Sequence, residues 1–255
     1  MSRTSRLDRL LPKPLSYVVV PEVVEAASVR RRRRGVVAAT AVTGAGLLGR
    51  SLSTPPGSRR FYLSTAAVAA VWTAGGLTSG PLHLGWIENR DATLRRPVLT
   101  PAATGLAAFG VFYGAALAAR RIPALGDAVA RVLRFAEEGD DRLVLATTLA
   151  NGVGEEIFFR GALYAALGQH HPVTTSTAVY VLATTTTTRN PALVLAAATM
   201  GTLFGLQRRA SGGLQAPLIT HGVWSALMLR FLPPLFRDRA PNPGPAALDR
   251  LTPGR

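Results

Sequence analysis

The sequence predicts an all-α fold: a polytopic transmembrane bundle of about six to eight membrane helices. Three observations lead there. Hydrophobic residues make up 48% of the chain and charged residues only 17%, whereas a soluble domain carries about 25% charged residues. The apolar runs are continuous, as in buried or lipid-facing helices, and do not alternate as strands do. Proline, glycine and arginine punctuate them at intervals suited to helices.

The formal net charge is +15. Such an excess fits nucleic acid or an anionic membrane. The basic residues lie mainly at the N-terminus and beside apolar segments, so anionic lipids are the expected partner and nucleic acid is not. Lys13 is the only lysine. Heavy Arg and Ala usage fits a bacterial chain from a GC-rich genome. Cysteine is absent, which excludes disulfides, thiolate metal sites and cysteine nucleophiles.

Residues 1–34 read as a basic, cytoplasmic segment ending in Arg30–Arg34. Gly35–Leu48 is apolar but short of the roughly 20 residues a span needs; it is a first helix only if extended by its flanks. The arginines before it also resemble a twin-arginine signal, with a basic anchor as the simpler reading. Phe61–Leu82 is the next candidate helix. Leu99–Ala119 follows, with Pro101 in its first turn, where proline is tolerated. In Arg120–Arg142, Leu125, Val129, Val132 and Leu133 recur at helical spacing among charges. That pattern predicts an amphipathic interfacial helix or a helical loop packed on the bundle end. Residues 35–142 therefore form an N-terminal membrane region.

Residues 143–236 form a second unit of four closely spaced apolar segments: Leu143–Leu167, Val173–Thr187, Ala192–Leu206 and Leu214–Phe236. The middle two are short and would span only if tilted or extended. Residues 237–255 are Pro-rich and read as a disordered tail. The expected location is the cell membrane, with multiple passes. The basic N-terminus predicts a cytoplasmic start, and seven spans would put the C-terminus outside.

The stretch "GEEIFFRGALY", Gly154–Tyr164, sets charges inside such a segment. An ionisable group at a membrane-helix centre costs about 2.5–3.5 kcal/mol, so each needs a partner or a task. Glu156 and Arg160 are four apart, with Glu on the N-terminal side, the favourable order for an ion pair. They are read as a structural pair. Glu155 points about 100° away around an α-helix, with Asn151 one turn earlier on its face. A carboxylate without a cation suits a general base, or else a hydrogen-bonded structural role. His221 and Ser225 share a face of the last segment and are able to donate to an oxyanion. His170 and His171 precede Pro172 and read as solvated; the run Thr184–Thr188 reads as hydroxyls bonded back to helix carbonyls.

These residues resemble the CPBP family, the CAAX protease and bacteriocin-processing intramembrane proteases, which includes type II CAAX prenyl endopeptidases. "EEIFFRG" is similar to its motif E-E-x-x-x-R, and Gly201–Ser225 to its C-terminal segment with H-x-x-x-N. The resemblance covers about Leu143–Phe236. It implies that Glu155 activates water, that Glu156 and Arg160 stabilise the site, and that His221 is an oxyanion donor or a metal ligand. Ser225 stands where the family often has Asn. The intermediate motif F-x-x-x-H aligns with "YVLAT", so that Thr184 replaces its histidine; "FGLQR", Phe204–Arg208, is the other alignment and also lacks it. Threonine does not replace imidazole as base or ligand. A Zn site generally needs three protein ligands, so the zinc that the resemblance allows is left with Glu155 and His221 unless His170 or His171 joins them.

The expected activity is intramembrane endopeptidase chemistry on a membrane-embedded or membrane-proximal peptide. In a bacterium that substrate would not be a prenylated protein. A non-hydrolytic scaffold, chaperone or immunity-type binder is the alternative, resting on the missing middle histidine. A transporter is the third reading, and no inverted repeat supports it.

Overall fold

A computed structural model describes residues 12–19, 25–168 and 170–237. Most of the expected tail, and residues 1–11 and 20–24 of the expected basic segment, lie outside them. Helix α1, Ala27–Leu52, starts two turns before the apolar run and takes in the arginines. Arginine is a good helix former, and Arg33 has a reason to be inside. It is fully buried, and its guanidinium pairs with the Glu25 carboxylate and donates to Ser79 Oγ at 3.1 Å and the Pro81 carbonyl at 3.2 Å. Part of the expected basic anchor is thus a brace between α1 and the segment after the next helix.

Helix α2, Arg59–Thr78, is capped by Ser58, whose Oγ accepts from the Phe61 N–H at 3.1 Å. It stops short of the expected Leu82. Gly80 takes a positive φ and Pro81 follows, a pairing that cannot continue a helix. An unexpected two-stranded hairpin comes next, β1 (Ile87–Glu88) antiparallel to β2 (Leu94–Arg95). Helix α3, Leu99–Ala119, has the expected bounds. Helix α4, Pro123–Glu137, is the amphipathic element of the charged loop.

The next helix, α5, is continuous but not uniform. Asp141–Glu155 is α-helical, Glu156–Leu163 is π-helical, and Tyr164–Leu167 returns to α. Helices α6 (Pro172–Thr188), α7 (Pro191–Ser211) and α8 (Gln215–Phe231) complete the bundle. Each of α6 and α7 opens with proline, whose missing N–H is not needed there.

Inter-helix hydrogen bonds define two ends. At one end lie the start of α1, residues 79–98, the end of α5 and the α7–α8 turn. Trp86 N–H donates to the Ser211 carbonyl at 2.8 Å, and Leu214 N–H to that of His83 at 2.9 Å. At the other end lie α4 and the α1–α2 and α6–α7 turns. Asn190 Nδ2 donates to the Ala128 carbonyl at 2.8 Å, and Asp140 N–H to Tyr62 Oη at 2.9 Å. Apart from α4, successive helices alternate in direction.

The protein is an all-α membrane helical bundle. Large apolar side chains point outward, Leu99 at 74% exposure and Val111 at 69%; so much apolar surface on a folded chain marks contact with lipid or another apolar partner. Among the described residues, three helices are long and apolar enough to cross a bilayer by length and composition: α1, α2 and α3. That is fewer than the six to eight expected. In the second half, α6 and α8 have 17 residues each, α7 ends in Arg208 and Arg209, and α5 is interrupted by its π-helical turn.

The core lies between α1, α2 and α5. Trp72 is 1% exposed and its ring sits 4.5 Å from that of Phe158 and 5.2 Å from that of Phe159. Gly44 of α1 faces this ring so closely that any Cβ would overlap it, whereas nothing lies near a Cβ at Gly46. Gly44→Val is expected to destabilise the bundle by about 1–3 kcal/mol, the usual range for overpacking. Gly46→Val should leave it nearly unchanged. Thermal unfolding in detergent compares the two.

Candidate active site

Residues Phe158–Tyr164 are all buried, because α5 is surrounded by α2, α6, α7 and α8. A helix buried on every side has no solvent face for charge. Its ionisable residues are therefore paired with care. π-Helical turns are wider than α turns and frequent at functional sites. Here the wide turn lets adjacent Phe158 and Phe159 both reach Trp72, and it holds Glu156 and Arg160 together.

Glu156 and Arg160 are both fully buried, with Arg160 NH1 donating to Glu156 Oε1 at 3.1 Å. The same oxygen meets His221 Nδ1 at 2.9 Å. A carboxylate only accepts, so Nδ1 carries a proton. The resemblance made His221 an oxyanion donor or metal ligand; its hydrogen bond is to Glu156. The imidazole stacks on Phe204, ring centroids 4.8 Å apart at 19°, and its Nε2 edge lies against Gly152, where a Cβ would sit 3.3 Å away. The Arg160 guanidinium is also enclosed by rings, 4.7 Å from the centre of Tyr180 and 5.1 Å from that of Phe204. Those faces attract a cation.

Glu155 has different company. Asn151 Nδ2 donates to Oε1 at 3.1 Å, and Tyr180 Oη donates to Oε2 at 2.8 Å. Both donors are neutral. The Asn151 contact follows the helical face read from the sequence. Tyr180 was visible there only as a substitute for the middle motif's Phe, and the phenol, not the ring, is what reaches Glu155. The signal was the polar group on an otherwise apolar stretch of α6.

Thr184 is not brought into a hydrogen bond with Glu155 or His221. Its hydroxyl bonds back to the Tyr180 carbonyl at 3.0 Å, and Thr185, Thr186 and Thr187 do the same with the carbonyls four residues before them. Ser225 is buried one turn beyond His221 on α8, with no hydrogen bond to either glutamate or to His221 among the described residues.

Residues 142–227 match the family model described as type II CAAX prenyl endopeptidase Rce1-like. That segment is similar to the CAAX-protease family. The match spans nearly all of α5 through most of α8 and takes in both glutamates, Arg160, Tyr180, Thr184, His221 and Ser225. Helices α1–α4 lie outside it. No curated protein and no solved structure matches the chain. The family is a protease family of membrane proteins.

The donors fit a zinc ion poorly. Among the described residues, no three His, Asp, Glu or Cys side chains are grouped to hold a metal. Glu156 Oε1 is held by Arg160 and His221, and the imidazole's Nδ1 is committed to it. The other candidates are elsewhere: His170 lines a cavity at the α1-start end of the bundle, and His171 caps the start of α6.

Removing one member of a buried pair strands the other. Glu156→Gln is expected to cost about 3–5 kcal/mol. Tyr180→Phe removes one hydrogen bond and should cost about 1 kcal/mol. Melting curves of the two purified variants distinguish them; equal losses would contradict the asymmetry between the glutamates.

Proposed function

We propose that the chain is a CPBP-type intramembrane endopeptidase in which Glu155 activates water. The observation that carries this is the unequal partnering of two adjacent carboxylates. Glu156 is paired with Arg160 and bound by His221; among the described residues, the hydrogen bonds to Glu155 come from the neutral groups of Asn151 and Tyr180. One glutamate is built in, and the other is left for chemistry.

The cluster's charges fit that division. Glu155 and Glu156 bring two negative charges and Arg160 one positive. Arg160 offsets Glu156, which leaves Glu155 as the carboxylate without a hydrogen-bonded cation. The oxyanion role proposed for His221 requires a proton on Nε2, the nitrogen not used by Glu156. Glu155 takes a proton from water, and the hydroxide adds to the scissile carbonyl. The carbonyl electrons move to oxygen, where His221, with Ser225 one turn away, stabilises them. Collapse breaks the C–N bond as Glu155 returns its proton to the leaving amine. Tyr180 and Asn151 hold the carboxylate in place. The substrate would be a membrane-embedded or membrane-proximal peptide, reached by a bundle whose alternating helices give seven passes of the cell membrane.

A second reading has one observation in its favour. Thr184 presents no imidazole, and its hydroxyl is spent on the Tyr180 carbonyl. The domain would then be a binding scaffold that keeps the buried cluster for stability.

Turnover separates the two. Glu155→Gln keeps both hydrogen-bond partners in reach and should fold, yet abolish cleavage. Peptide products would be compared in membranes of cells carrying wild type or variant. A product pattern unchanged by Glu155→Gln would rule out the proposed base. Thr184→His should not restore a lost function, because its neighbour is a backbone carbonyl; chelator-sensitive cleavage in that variant alone would show that this position does face the site.

A further inference from the structure

The large cavity of about 1100 Å³ lies away from Glu155, Glu156 and His221, at the bundle end where α1 begins. Its walls come from the start of α1, residues 81–86, the end of α5 and the α7–α8 turn. Five arginines line it: Arg30, Arg34, Arg96, Arg208 and Arg209. Glu25 also lines it, but its carboxylate is held by Arg33, which does not. Among the described residues, no carboxylate is ion-paired with Arg30, Arg34, Arg96 or Arg209.

Three of these guanidinium groups are anchored by backbone carbonyls. Arg34 Nε donates to Ala166 O at 3.2 Å, Arg208 Nε to Arg160 O at 2.9 Å, and Arg96 NH1 to Gly85 O at 3.0 Å. Arg96 also stacks on Trp86 at 3.8 Å, and Arg208 on Tyr164 at 4.8 Å. One edge of the Arg34 fork and one of the Arg96 fork are fixed, so little freedom is lost when another edge takes an anion. Like charges gathered round one cavity repel one another, and a bound anion relieves that repulsion.

The cavity is far larger than a phosphate needs; its size is that of sites for whole small molecules. Leu82, Leu84, Trp86, Leu167 and Leu214 are among its apolar lining. Basic groups beside apolar walls, at the end of a membrane bundle, match an amphiphile whose head is anionic.

We propose that this cavity is a binding site for the phosphate headgroup of an anionic phospholipid. The phosphate lies among Arg30, Arg34 and Arg96, and the glycerol and first methylenes lie along the leucines. Arg208 joins this site to the π-helical turn through the Arg160 carbonyl. The binding itself does not rest on hydrolysis.

The test uses the full chain in detergent, titrated with dihexanoyl-phosphatidylglycerol, dihexanoyl-phosphatidylcholine and inorganic phosphate. The anionic lipid should bind well, the zwitterionic lipid and free phosphate at least roughly tenfold more weakly. The Arg30→Gln, Arg96→Gln double variant should lose roughly tenfold or more in affinity for the anionic lipid, since a tenfold change corresponds to the loss of one good charge-assisted contact. Arg59→Gln, Arg60→Gln, at the opposite end of the bundle, removes the same charge and should bind as wild type. Unliganded melting temperatures check that the variants fold. Glu155→Gln should bind lipid normally even if cleavage is lost, which separates this proposal from the catalytic one. Equal affinity for the two lipids, equal losses in both double variants, or phosphate binding as tightly as the anionic lipid would each overturn it.

Discussion

One buried ion cluster organises the second half of this protein. Arg160 is enclosed within the bundle, and a lone guanidinium there would be too costly to fold around. Glu156 on the same helix, His221 on α8 and the faces of Tyr180 and Phe204 make the position tolerable. In doing so they tie α5, α6, α7 and α8 to one point. The packing of four helices is thus specified by a charge as well as by apolar contact.

The same constraint divides the two glutamates. They are neighbours in sequence, so composition and hydropathy treat them alike. What separates them is direction. Glu156 faces a cation and an imidazole; Glu155 faces an amide and a phenol. A site able to move protons needs one carboxylate that is not already neutralised, and the bundle leaves one. At the α1-start end the imbalance has the opposite sign, with arginines outnumbering acids around a cavity.

Much of this was readable in the residues. The α3 bounds, the amphipathic α4, the Glu156–Arg160 pair and the Asn151–Glu155 contact follow from spacing and from the cost of isolated charge. The family resemblance came from motif order over a short stretch, and the matched segment is that stretch. Other features were hidden for physical reasons. A π-helical turn leaves no pattern in hydropathy, so the hydrogen bond from His221 to Glu156 was not legible in the spacing. Tyr180 was overlooked because the motif comparison sought an imidazole four residues later. Arg33 read as a solvated anchor because its partners, Glu25 and the turn at Ser79–Pro81, meet it only through folding.

The π-helical turn has a consequence for how this gene tolerates change. Such a turn holds one residue more than the α turn it replaces, so its register depends on chain length as well as on side-chain identity. Losing a single codon between Glu156 and Leu163 would relax the turn to α geometry and rotate everything on its far side by about 100°. Arg160 would then face away from Glu156, or Tyr164 away from Arg208. In this stretch an in-frame deletion of one residue is a graver lesion than most substitutions, and natural variants should differ here in residue type far more readily than in length.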